Sequence, residues 1–217
     1  MKDNTKKITV AAMFAALAFA VAAMFNVIPI TLVPSLPFLH YDPKDVLITL
    51  CGFILGPVYS VFVSLIASLI ELTISNTGLI GAVMNFLSSC IYACSAALIY
   101  KRVRNVYGAV FGLIVSTLAT TGFMLLWNWL ISPLYMGISR EAVSVMLIPA
   151  FLPFNLIKGC INAGVTLLIY KPVITVLRNM KLVKSGENKV TASNTAVALI
   201  IGIVLILLSV IAVLALK

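Results

Sequence analysis

"FLPFNLIKGCINAGVTLLIY", residues 151–170, decides the class of fold, because it is an apolar run of membrane-crossing length with a single charge, Lys158, in its middle. About 20 mostly apolar residues wound into a helix span the hydrocarbon core of a bilayer. A charged side chain at bilayer depth costs at least ~2.5 kcal/mol, so a lysine kept there is itself a candidate functional residue.

The rest of the chain agrees with a membrane reading. Of its 217 residues 62% are hydrophobic and 10% charged, and the mean hydropathy is +1.17. Soluble domains carry about 25% charged residues, so the composition describes a polytopic membrane protein. Spans and short loops use almost the whole length, leaving no room for a separate soluble catalytic domain. The net charge of +9 would suit a nucleic-acid partner, but the basic residues gather at span ends. Eleven of the 15 fall at Lys2, Lys6 and Lys7, at Lys101, Arg102 and Arg104, and at Lys171, Arg178, Lys181, Lys184 and Lys189. That distribution is the positive-inside pattern, which predicts a cytoplasmic N-terminus. Cys51, Cys90, Cys94 and Cys160 all lie in apolar runs and read as small packing residues, since no histidine or second cysteine pair stands at metal-ligand spacing. "AVA" at residues 20–22 imitates a signal-peptide cleavage site, but the apolar run continues past it, so residues 8–28 read as a first transmembrane helix.

Apolar runs bounded by charge, Pro or Gly predict further spans near 45–56, 58–75, 80–100, 107–132 and 147–170. The second is short enough to need tilt or support from neighbours. A proline-rich loop, residues 28–45, joins the first two spans, and Gly56-Pro57 separates the second from the third. A last apolar run occupies 195–216. The expected fold is therefore all-α and integral to the membrane: a six-helix domain over 1–178, a polar cytoplasmic linker over 179–194 and an extra C-terminal transmembrane helix over 195–217.

Depth can be counted along these spans. Lys158 lies 13 residues before Lys171, which marks the inner boundary. At 1.5 Å per residue that places it roughly 20 Å up the helix, in the outer part of the bilayer. Asn155 is a turn nearer the outside, Asn128 sits four residues before the "SPLY" end of its span, Glu71 about a turn before Asn76, and Asn85 about a turn into the next span. The first loop, with His40, Tyr41, Asp42 and Asp45, opens on the same side. Polar groups from four spans and a loop thus share one depth, which predicts a binding pocket open to the exterior. Two bland readings stand beside this one: asparagines as interhelical glue, and Glu71 and Lys158 as a mutually neutralising pair. Trp127, Trp129, Tyr135 and Tyr41 sit at the depth of an interfacial aromatic belt, and His40 reads as a loop-packing residue.

The inner half of the membrane carries almost no polar group, which disfavours a continuous ion or proton path. Enzyme signatures are missing too. There is no G-x-x-x-x-G-K-[ST] loop and no G-x-S-x-G; one histidine rules out H-E-x-x-H, and Asp42 and Asp45 read as isolated in a loop. The expectation is a binding protein and not an enzyme.

"YDPKDV", "GFILGPVYSVFVSLIASLIE", "TGLIGAVMNFLSSCIYACSAALIYKR", "WNWLISPLY" and "IPAFLPFNLIKGCINAGVTLLIYK" occur in that order. Together they resemble the substrate-binding S components of energy-coupling factor vitamin transporters, most of all the riboflavin-specific branch. The likeness covers about residues 6–178, with "PFNLIKG" its most telling piece. It implies a six-helix protein that captures a vitamin near the outer face, powered by a separate transmembrane coupling subunit and two ATPase subunits, with no cofactor and with riboflavin as the transported ligand. It also implies flavin contacts at Asn128, Asn155 and Lys158. The amides and amine suit a ring edge of alternating carbonyls and N–H groups, while Leu36, Pro37, Phe38 and Leu39 of the first loop suit the apolar edge. Asn85, Glu71, Tyr41 and Asp42 complete the candidate set. In the first span, Ala11 with Ala15, and Ala12 with Ala16 and Ala20, stand at small-xxx-small spacing that lets another helix approach closely; the resemblance makes them the docking face for the coupling subunit, and packing within the bundle is the alternative. Related S components bind folate, pantothenate, thiamine precursors or pyridoxine derivatives on the same scaffold. Another vitamin therefore remains an alternative ligand, and a self-sufficient carrier is the alternative from a different class.

Overall fold

The computed structural model describes residues 2–34, 39–73, 78–182 and 192–216, without the side chains of residues 2, 3, 135 and 192–194. Helices α1 (Lys2–Val27), α2 (Lys44–Leu55), α3 (Pro57–Glu71), α4 (Gly78–Arg102) and α5 (Val106–Met136) follow in order. A short α6 (Arg140–Met146) runs through a π-helical turn, Leu147–Phe151, into α7 (Leu152–Asn179), and α8 (Ala192–Ala215) closes the chain. Among the described residues, five helical stretches are long and apolar enough to cross a membrane: Asn4–Val27, Gly78–Arg102, Val106–Leu134, Arg140–Asn179 and Thr195–Ala215.

The α2–α3 pair is shorter than a bilayer because the sequence breaks it. Gly56 adopts φ 109°, a conformation that costs glycine little and other residues much, and Pro57 then opens α3 with its pre-set φ. A 12-residue helix is only about 18 Å long. α2 survives because protein surrounds it: α1, α3, α4 and α7 all pack against it. A Cβ on Gly52 would stand 2.9 Å from Ala97 Cβ and 3.1 Å from Ser60 Oγ, so this glycine is what lets α2, α3 and α4 close together.

Many buried hydroxyls along these helices are satisfied locally. Ser60 donates to Pro57 O at 2.7 Å, Ser116 to Leu113 O at 2.8 Å and Thr166 to Asn162 O at 2.6 Å, the usual way a Ser or Thr hides its hydroxyl in a helix. Among the described residues, the buried charged side chains, Lys44, Asp45 and Glu71, all lie at the end of the bundle that carries the first loop.

α8 is packed as a member of the bundle, lying along α7 with a smaller contact to α5. Its backbone touches that of α7: a Cβ on Gly164 would meet Gly202 O at 2.7 Å, and one on Gly202 would meet Gly164 O at 2.9 Å. Such glycine crossings are how membrane helices gain packing where lipid offers no hydrophobic drive. At the end opposite the first loop, Lys6 Nζ donates to Lys181 O at 3.0 Å and Lys171 Nζ to Thr195 Oγ1 at 2.9 Å, so the starts of α1 and α8 meet the finish of α7. The expected linker over 179–194 lies largely outside the described residues.

The first span's alanines divide between two faces. Ala15 is buried in the core with Val10, Phe14 and Ala18, and Ala11 packs against that cluster. Ala12, Ala16 and Ala20 face outward at i, i+4 and i+8. The expectation for Ala11 and Ala15 as docking residues is thereby corrected: a 3.6-residue period cannot put both four-residue series on one exposed stripe.

Candidate functional site: a buried ionic cluster beside a polar cleft

The sequence "YDPKD" builds the site's first wall. Asp42 Oδ1 accepts the backbone N–H of Lys44 at 3.0 Å, an Asx-type turn that starts α2. The turn aims Lys44 and Asp45 into the bundle, where they are 1% and 2% exposed. Lys44 Nζ stands 2.7 Å from Asp42 Oδ2 and 2.6 Å from Glu71 Oε1, and it also contacts Glu71 Oε2. Asn85 Nδ2 donates to the same Glu71 carboxylate at 3.2 Å. Lys158 Nζ lies 3.1 Å from Asp45 Oδ2. Asp45 further accepts a short hydrogen bond from Ser89 Oγ and a long one, 3.4 Å, from Asn162 Nδ2.

These pairings correct two sequence expectations. Glu71 does not neutralise Lys158; it is held by Lys44, while Lys158 turns to Asp45. Asp42 and Asp45 are not isolated in a loop; each is an ion-pair partner. Both corrections have one cause. Lys44 sits in a loop-like stretch whose depth cannot be counted from a span boundary, and it supplies the second buried cation that a pairing scheme needs. Although burial alone would raise the Asp42 carboxyl, the neighbouring Lys44 and then Lys158 hold it below the usual carboxylate value, so it stays ionised at neutral pH.

Tyr41 is drawn inward as well. Its hydroxyl donates to Asn162 Oδ1 at 2.8 Å and its ring meets Phe25 edge-on at 5.9 Å between centroids. Burial, followed by the nearby Asp45 and Asp42 carboxylates, pushes the phenol well above its ordinary range, so it remains a donor. It is therefore not a residue of an interfacial belt. Trp129, 37% exposed, keeps that character and carries the Arg140 guanidinium 5.1 Å above its ring.

α7 forms the second wall. Asn155, Lys158 and Asn162 recur at i, i+3 and i+7, one face of the helix. Beside the π-helical turn, which encloses Pro149, Asn155 Nδ2 donates to Phe151 O at 2.8 Å. π-turns inside helices frequently mark functional sites. Gly159 explains the glycine that follows the lysine: a Cβ there would stand 2.5 Å from Thr117 Cγ2. Its absence lets α7 close on α5, while Tyr92 Oη donates to Gly159 O at 3.0 Å from α4.

Between these walls lies a narrow cleft, lined by Asp45, Ser88, Tyr92, Thr117, Thr120, Asn155, Lys158, Gly159 and Asn162. Two sequence-predicted residues, Asn155 and Lys158, line it. Asp42, Glu71 and Asn85 stand behind it in the ionic cluster, and Tyr41 bonds one of its lining residues. Asn128 is apart: it is 2% exposed, its amide donates to Met124 O at 2.7 Å and its Oδ1 accepts from Ser132 at 2.8 Å. Leu39 packs with Leu32, Val33, Phe151 and Phe154, while Leu36 and Phe38 lie outside the described residues. Sequence reasoning placed Asp45 on the pocket side but left it out of the candidate set, and it missed Lys44, Asn162 and the hydroxyls of α4 and α5. The i, i+3, i+7 spacing would have found Asn162; nothing in the sequence distinguishes Thr120 from other threonines in spans.

Known proteins share this chain's sequence pattern and fold. Residues 6–170 match the family model described as "ECF transporter, substrate-specific component". The chain is 31% identical over 186 residues to the "Riboflavin transporter RibU" of Staphylococcus aureus (strain TCH60), covering 83% of this chain and 96% of that protein. It is 30% identical to the "Riboflavin transporter FmnP" of Bacillus subtilis (strain 168), covering 77% and 91%. The solved structure titled "Structure and mechanism of the S component of a bacterial ECF transporter" superposes with a TM-score of 0.67 at 29% identity, covering 81% of this chain and 99% of its own. With a helical bundle, a buried polar cleft and a family match over most of its length, the chain belongs to the substrate-specific components of ECF transporters, multi-pass membrane transport proteins and not enzymes.

Proposed function

We propose that this protein captures riboflavin from outside the cell and delivers it through a separate coupling subunit driven by two ATPase subunits. The observation that carries the reading is the cleft in which Lys158 and Asn155 converge with Asp45 and Asn162, in a chain about 30% identical to two proteins named riboflavin transporters. An ammonium and amides give a flavin's ring edge donors and acceptors to match its own, and convergent polar groups of this kind fix the orientation of a small molecule in its site. The basic residues at the start of α1 and at the ends of α4 and α7 lie away from the first loop, which supports a cytoplasmic N-terminus in the plasma membrane and a cleft on the exterior side.

Purified from riboflavin-containing medium, the protein is expected to be yellow, with flavin absorbance released on denaturation. Colourless protein that also fails to quench added riboflavin fluorescence would reject the flavin and leave another vitamin as the ligand.

The outward stripe of Ala12, Ala16 and Ala20 supports docking of a coupling subunit on α1, since small residues let a second helix approach closely. Ala12→Trp with Ala16→Trp is expected to leave riboflavin binding unchanged and to stop uptake in cells that express the whole transporter. Uptake at the normal rate would remove α1 from the docking surface.

A further inference from the structure

We infer that α8 is a positioning helix for the cleft: it backs α7 on the side away from Asn155 and Asn162 and slows the escape of a bound ligand. This rests on the flavin reading above and adds to it a helix that lies outside residues 6–170, the part of the chain that matches the family model. Helical geometry shows which face of α7 is backed. The two helices cross at Gly164, where a Cβ would meet Gly202 O at 2.7 Å and Ile206 Cγ1 at 2.7 Å. Nine residues, or about two and a half turns, separate Asn155 from Gly164, so the two stand on opposite sides of α7. Asn155, Lys158 and Asn162 line the cleft; α8 stands behind the helix that presents them.

The contact runs the length of α8. At the inner end Thr195 Oγ1 accepts from Lys171 Nζ at 2.9 Å. Ala198, Ile201 and Leu205 then pack against the cluster that includes Ala163 and Leu167 of α7. At the outer end Ala212 and Val213 pack against the cluster that joins Leu32, Val33 and Tyr41 of the first loop to Phe151 and Phe154. These positions recur every three or four residues, one stripe of a helix, while Val204, Leu207 and Ile211 are exposed on the other side. The outer end of α8 thereby supports the apolar cluster around Tyr41, whose hydroxyl bonds Asn162 in the cleft wall.

α7 has reason to need this support. Gly159 and Gly164 lie inside it, and Pro172 lies farther along. Interior glycines weaken a helix and an interior proline removes a hydrogen bond, so the cleft face is carried on a helix that bends easily. Its α5 side is fixed by the approach of Gly159 to Thr117. Lipid chains on the opposite side would yield as α7 moved, whereas a helix seated backbone to backbone holds its place. A ligand bound to Asn155 and Lys158 leaves more readily when α7 shifts, and α8 opposes that shift. Differences in affinity at one site lie mainly in the dissociation rate, which is where α8 acts.

Gly202→Leu forces a side chain into the crossing, since even a Cβ there would stand 2.9 Å from Gly164 O. Val204→Leu places the same side chain on the face of α8 turned away from α7, at a residue 46% exposed. Riboflavin is bound to the purified full-length wild type and to each variant, and the recovery of flavin fluorescence on dilution gives the dissociation rate. Titration gives the fraction of protein that binds, and a melting curve the fold. The expected result is dissociation roughly ten-fold faster in Gly202→Leu, with association changed by less than about two-fold, and wild-type rates in Val204→Leu. A role confined to folding would lower the melting temperature and the fraction that binds but leave the dissociation rate of the remainder unchanged. That result, or equal acceleration in Val204→Leu, overturns the inference and leaves the flavin reading intact. Wild-type protein that does not bind riboflavin overturns the flavin reading and this inference with it. If Gly202→Leu does not fold, Gly202→Ala takes its place in the same comparison.

Discussion

Lys44→Met is expected to lower stability by roughly 3–5 kcal/mol, the usual consequence of removing one partner from a buried ion pair. Lys44 is 1% exposed and sits between Asp42 and Glu71. Without it, Glu71 at 6% exposure keeps, among the described residues, only the Asn85 amide, and a carboxylate in that position must either stay charged at great cost or take up a proton. The loss appears as a large fall in melting temperature in detergent. Lys44→Met with Glu71→Met is expected to recover much of it, because exchanging a whole buried pair for apolar side chains is close to neutral. Wild-type melting of the single variant would show that the cluster does not hold the bundle together. The recovery in the double variant also separates stability from binding: if the recovered protein binds ligand as before, the cluster is a scaffold for the cleft and no part of it.

Lys158→Met carries the second large effect, and it has to be separated from its structural shadow. Lys158 stands on the cleft and pairs with Asp45, so the single variant both removes a ligand donor and strands a carboxylate that is 2% exposed. Because Lys158 itself is partly exposed, with 18% of its side chain accessible, the stability part is smaller than at Lys44. Asp45→Asn retains an acceptor for Ser89 and dispenses with the charge. The double variant, Lys158→Met with Asp45→Asn, is therefore expected to melt near the wild type yet to bind riboflavin about 10- to 100-fold more weakly, the worth of a hydrogen bond from a charged donor. Fluorescence titration checks the affinity and a melting curve the fold. A double variant that binds as tightly as the wild type would make Lys158 only the counter-ion of Asp45.

The site was legible in the sequence wherever depth could be counted. Asn155 and Lys158 sit on a long span with a clear basic boundary at Lys171, and both line the cleft. Counting failed for "YDPKD", where proline and the loop remove the helical ruler, so Lys44 and Asp45 went unrecognised as buried. It also failed to give azimuth. Asn128 has a suitable depth but spends its amide on Met124 and Ser132, and Ala11 and Ala15 have the spacing of a docking face but turn into the core.

By itself the sequence determined the membrane class, the order of the helices, the break at Gly56-Pro57 and the lysine that marks the cleft. Those features depend on apolar length, on charge at span ends and on backbone chemistry, all of which are local along the chain. Only the tertiary structure decided which carboxylate each lysine meets and that Gly202 seats α8 on α7. Each of these turns on the rotation and approach of one helix against another, a matter of ångströms between residues far apart in sequence. Lys158 therefore announces a site in one dimension, but its partner Asp45 exists only in three.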